Sequence, residues 1–163
     1  MEHVYFRQPH LEVLNEAMVI AEEMTSDFFK LSWSQWRRAR YDIQTQAGLH
    51  PAEINPRALA VVAKYDCAPR DRLLRSASFD FYRISLQDQN ILRMLHLSEG
   101  LNALSLFTYI LTHELTHIVR FSRHQALYDT PWPLRPLEEA RVHQLTRKIL
   151  TPLNLVDLPE VIR

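Results

Sequence analysis

The chain has 163 residues, enough for one compact domain. Its hydrophobic fraction is 47%, and 19 Lys+Arg balance 19 Asp+Glu, so no bulk field favours nucleic acid or an anionic membrane as a partner. Cys67 is the single cysteine, which excludes an intramolecular disulfide and reads as a small, partly buried side chain.

Met1 to Pro9 contain no apolar segment of a secretory signal. No run of about 18 apolar residues is present to span a bilayer. The expected location is therefore the cytoplasm. Leu11, Leu14, Met18, Ala21, Met24 and Phe28 recur at helical spacing and predict an amphipathic helix from about residue 10 to 29. Ser32 reads as the N-cap of a second helix with Trp33, Trp36, Ile43 and Ala47 as its stripe and Gly48 as its stop. Arg37, Arg38 and Arg40 read as its solvated face. Asn55-Pro56 predicts the start of a short helix through Ala60, Val61 and Ala63.

From about Ser78 to Leu86 the character changes. Phe79, Phe81, Tyr82, Ile84 and Leu86 interleave with polar residues, which predicts a strand. A lone strand is unstable, so partners are expected in Leu73–Ala77 or near Ala60. Ser98 reads as the N-cap of the next helix. That helix is apolar around most of its circumference, from Leu101 to Val119, so it should be buried and central. Ser122 to Pro136, with three prolines around Trp132, reads as a long ordered loop. A last helix is expected from about Leu137 to Leu150, stopped by Pro152.

The central helix carries His113-Glu114-Leu115-Thr116-His117. Residues four apart on a helix stand about 40° apart, one turn above the other. His113 and His117 can therefore reach one divalent metal ion, zinc by default, from a rigid support. Glu114 is rotated off that line. It flanks the ion as a general base for a water. Two core histidines bonded to backbone carbonyls are the alternative. Against it, polar side chains sunk into an otherwise apolar helix need partners.

This segment resembles the active-site helix of the zincin metallopeptidases. Metzincins place a glycine and then a histidine downstream, but those positions hold Arg120 and Arg123 here. Gluzincins place a glutamate on a following helix with an acidic residue four positions later. Glu139-Ala140-Arg141-Val142-His143 has that shape, 22 residues after His117, with His143 where the family has aspartate. The resemblance implies His113, His117 and Glu139 as metal ligands, Glu114 as the catalytic base, and a peptide or protein substrate. It leaves His143 open as an orienting group, a transition-state group or a fourth ligand.

Glu138 competes with Glu139 as third ligand. Glu139 shares the polar face with His143 and Thr146, whereas Glu138 shares the apolar stripe of Val142, Leu145 and Ile149. Arg120 could meet a substrate carboxylate or an oxyanion, or form a salt bridge to Glu138 or Glu139. His124 is expected past the helix end, and Tyr128 as a packed loop residue. A non-catalytic zinc-binding module is the second reading of the chain. A di-metal carboxylate oxidase is the third, with Glu22/Glu23 as the spare carboxylates, though the second Glu-x-x-His motif it needs is missing.

The expected architecture is α+β and mainly helical, one zincin-like domain over residues 1–163. N-terminal helices occupy 1–66, the metal-site core about 78–150, and a small antiparallel sheet accompanies the central motif helix.

Overall fold

The computed structural model describes residues 4–67 and 79–155. The fold is α+β and mainly helical, with five α-helices and three strands among the described residues. The first helix, α1, spans Gln8–Phe29, close to its expected bounds, and Lys30 ends it in the left-handed conformation. Ala17, Ala21 and Thr25, each four residues on, are buried along one side of it. Small side chains at that spacing let a neighbouring helix approach closely. The neighbour is the motif helix α4, Ala103–Ser122, along which α1 packs.

The second helix departs from expectation. Ser32 does cap α2, Trp33–Arg38, and its hydroxyl accepts the Gln35 N–H. The chain then turns directly into β1, Ala39–Gln44. Ile43 extends the helical stripe but also lies at strand spacing from Tyr41. Pairing with a distant strand decides between them, because Tyr41 stands opposite Tyr82 and Ile43 opposite Ile84. The helix expected after Asn55 is also absent. The Asn55 side chain accepts the N–H groups of Arg57 and Ala58 and forms a turn. Residues Ala60–Cys67 then form β2, where β-branched Val61 and Val62 suit a pleated surface. Residues 1–66 are therefore not purely helical.

The strand expected near residues 78–86 is β3, Phe79–Leu86. Leu73–Ala77 lies outside the described residues, as do the side chains of Cys67 and Trp132. The partner expected near Ala60 is present as β2. The sheet order is β1-β3-β2, with β1 parallel and β2 antiparallel to β3. The sheet is thus mixed, not antiparallel, because β3 inserts between two strands that precede it. Strand direction leaves no mark in hydrophobic patterning. Tyr82, Ile84 and Leu86 alternate toward the core and are buried.

Helix α3, Asp88–Leu97, was not anticipated. Ser98 is its C-cap, and Gly100 at φ 77 turns the chain. Asn102, not Ser98, caps α4: its side-chain oxygen accepts the Leu104 and Ser105 N–H groups. Every residue of α4 from Leu106 to Arg120 is buried. This helix touches α1, all three strands and α5, Arg135–Leu150, so it is the centre of the fold. Asp88 ties the N-terminal segment down, its carboxylate accepting the N–H groups of Phe6 and Gln46, each at 2.9 Å. No helix among the described residues is long and apolar enough to cross a membrane.

Candidate metal centre

Two helices build the site. On α4, Tyr109, His113 and His117 follow each other at intervals of four residues. On α5, Glu139, His143 and Arg147 do the same. Each set forms one stripe, and the stripes meet in antiparallel order. Glu139 faces His113 and His117, while His143 faces Tyr109.

The distances are tight where the motif requires them. His113 Nε2 lies 3.2 Å from Glu139 Oε2, and His117 Nε2 lies 3.1 Å from Glu139 Oε1. The two Nε2 atoms are 3.2 Å apart. Ligands of a tetrahedral zinc with arms of about 2.0–2.1 Å sit about 3.4 Å from one another. The three donors therefore already stand near the spacing that one ion imposes. His143 belongs to a looser set: its ligand atom and those of His113 and Glu139 fall within 4.8 Å of each other.

Charge is distributed to match. Burial alone would push the Glu139 carboxyl up, but hydrogen bonds from His113 and His117 outweigh it and hold the group well below the usual carboxylate range. Burial works against a charged His117, yet its bond to Glu139 and the nearby carboxylates raise its pKa. Burial pushes Glu114 up, with His113 and His117 pulling the other way. Burial first, and His113 second, depress His143 to about 4, so its ring is neutral at pH 7.

Comparison with protein-family models, curated proteins and solved structures finds no match to this chain.

Of the two competing glutamates, Glu139 is the one at the histidines. Glu138 is engaged by Arg120, whose Nε and Nη2 donate to its two oxygens at 2.5 and 3.1 Å. Arg120 also donates to the Gln125 carbonyl. Its guanidinium is therefore a clamp between α4 and α5 instead of a free anion receptor. His124 follows the helix end at φ 55, is exposed, and lines a separate pocket with Leu137 and Arg141. The Tyr128 hydroxyl points to the Val62 carbonyl, and its ring packs edge-to-face on Phe121. Glu22 is bonded to the Tyr41 hydroxyl and lines a separate groove with Trp33 and Trp36. It contributes nothing to the histidine site.

His113 Nδ1 and His117 Nδ1 are buried without a hydrogen-bond partner among the described residues. His143 lays its ring 4.4 Å from that of His113 at 44°. The rings are held by packing and by their Nε2 contacts: His117 stacks on Phe121 and His113 on Tyr109.

The site opens into a cleft of about 650 Å³. One wall is α4 and α5, and the opposite wall is β2 from Ala60 to Val62, with Leu127 and Tyr128 at the rim. Two contributors escaped the sequence reading. Tyr109 and Arg147 extend the two stripes by one turn each, so continuing the four-residue interval past the motif would have found them. The strand partner expected near Ala60, β2, lines the cleft as well.

Proposed function

We propose that the chain is a zinc-dependent hydrolase, a small metallopeptidase in which His113, His117 and Glu139 hold the metal and Glu114 is the base. The observation that carries this is the mutual spacing of 3.1–3.2 Å among two imidazole nitrogens and one carboxylate on the floor of a cleft. Two nitrogens and one oxygen suit zinc and leave a fourth position open. Zinc there supplies a polarised carbonyl and a water made acidic near neutral pH.

The protein's own groups do the rest. Glu114 takes a proton from the water as its oxygen bonds to the carbonyl carbon, then gives it to the leaving nitrogen as the C–N bond breaks. Burial raises its pKa toward the range where a group both accepts and returns a proton. The central strand β3 has both of its sides occupied within the sheet. The edge facing the cleft is β2, so the substrate backbone would add along Ala60–Val62. The apolar lining from Leu59, Ile110, Phe121 and Leu127 favours an apolar side chain next to the scissile bond. The partner is then a peptide or protein, handled in the cytoplasm by one domain.

A non-catalytic zinc module would use His143 as a closing ligand, and its ligand atom lies within 4.8 Å of those of His113 and Glu139. The test is digestion of a mixed peptide library by the zinc-loaded protein and its Glu114→Gln variant. Cleavage that falls by about 10²–10⁴-fold in the variant, with zinc retained, is the expected result. Equal cleavage by both proteins would remove Glu114 from the mechanism.

A further inference from the structure

Arg135 stands four residues before Glu139 on α5, so the interval that brings Glu139 and His143 to the cleft brings it there too. Among the described residues it is the one Lys or Arg that lines the cleft. Its guanidinium is held from one side. Nε donates to the Thr130 carbonyl at 3.0 Å. The residue carrying that carbonyl is itself fixed, because the Thr130 N–H and hydroxyl both donate to the Leu127 carbonyl and close a turn. No carboxylate among the described residues forms an ion pair with Arg135. The acids next to it on α5 are engaged elsewhere, Glu138 by Arg120 and Glu139 by His113 and His117. Arg83 and Arg120, by contrast, each close on a carboxylate of this chain.

We propose that Arg135 is the receptor for a carboxylate of the peptide that occupies the cleft, either its C-terminus or an Asp or Glu side chain. A guanidinium carries five N–H donors in a fixed fork. With Nε spent on Thr130, the two Nη groups still offer a pair of donors to one carboxylate. The Thr130 bond places the fork in advance, so less side-chain freedom is lost when the ligand arrives. Four residues along a helix span about 6 Å, the length of about two residues of extended chain. The recognised carboxylate therefore falls about two residues from the bond at Glu139 and the histidines. Arg135 is exposed, so water competes for it and the gain stays near the lower end for a charged hydrogen bond, about tenfold in affinity. The inference rests on the reading of the cleft as a peptide site.

The test uses pools of short acetylated peptides of apolar residues, in matched pairs. One pair compares a free C-terminus with an amidated one. The other, amidated throughout, compares Glu with Gln at each position in turn. Binding is measured on the zinc-loaded Glu114→Gln protein, and cleavage on the zinc-loaded wild type. The charged member of a pair should bind about tenfold more tightly at low salt, and less so as salt rises. Arg135→Gln, added to the same background, should abolish that difference and leave the neutral peptides bound as before. Arg135→Lys should restore part of it, since a point charge returns without the fork. A difference confined to the free C-terminus identifies the α-carboxylate as the ligand, and one that follows Glu identifies a side chain; either supports the receptor. Equal binding within every pair, or a preference that survives in Arg135→Gln, overturns it. The two readings fail differently. Carboxylate binding that depends on Arg135, with no cleavage by the wild type, defeats the hydrolase alone. Cleavage at equal rates within every pair defeats this inference alone, and a protein that neither binds nor cleaves any peptide defeats both.

Discussion

Replacing Arg120 by leucine should destabilise the protein more than any exposed ion pair would. The side chains of Arg120 and Glu138 are only 8% and 16% exposed, and the pair is bidentate. Removing one partner from a buried pair leaves an uncompensated charge, which costs about 3–5 kcal/mol. Glu138 borders the cleft, where water reaches it, so the lower end applies, about 3 kcal/mol. For a chain of this size that lowers Tm by about 6–12 °C. The assay is thermal denaturation in the presence of a chelator, so that metal binding through the adjacent Glu139 does not enter the cycle. Arg120→Leu, Glu138→Leu and the double variant complete it. The double variant should be more stable than Arg120→Leu, because no charge is then left unpaired. A loss below about 1 kcal/mol in Arg120→Leu, or strictly additive losses, would refute the clamp and class the pair with exposed ones.

Two further outcomes follow from buried carboxylates. Burial raises the Glu114 pKa, so its contribution to stability is present below the unfolded-state value of about 4.3 and is lost as pH rises through the folded value. Glu114→Gln does not titrate. Its stability advantage in the metal-free protein should therefore grow with pH, as read by denaturant titration from acid to neutral; parallel curves would contradict this. Asp88→Ala strands the Phe6 and Gln46 N–H groups and should cost about 2 kcal/mol. Asp88→Asn keeps one acceptor oxygen and should lose less in the same thermal scan. Equal losses would mean that the carboxylate does not pin the N-terminal segment.

The sequence made helices legible wherever one face had to be buried without interruption. Leu14, Ala17 and Ala21 mark α1, and the run from Leu106 to Val119 marks α4 as central. Strands were harder, because their pairing brings together residues far apart in the chain. Ile43 fits a helical stripe with Trp36 and a strand with Tyr41 equally well, and only pairing with Ile84 resolves it. Asn55-Pro56 carries the chemistry of a helix start and of a turn, and the turn formed. Ser98 looked like an N-cap but ends α3.

The site was read more fully than the sheet because its chemistry rides on helical intervals. His113, His117 and Glu139 come together as their faces required, and Arg120 takes Glu138 out of contention. The direction of the His143 ring was not legible. It depends on Tyr109, which lies outside the motif and looks like an ordinary helix residue.

The most direct measurement is zinc affinity and stoichiometry by calorimetry and elemental analysis, on the wild-type protein and on Glu139→Ala and Glu138→Ala. About one zinc per chain, weakened by about 100-fold or more in Glu139→Ala and far less in Glu138→Ala, is the predicted result. A wild-type protein that takes up no zinc, or a Glu139→Ala variant that binds it as tightly, would contradict the metal centre and leave His113 and His117 as core histidines paired with a carboxylate.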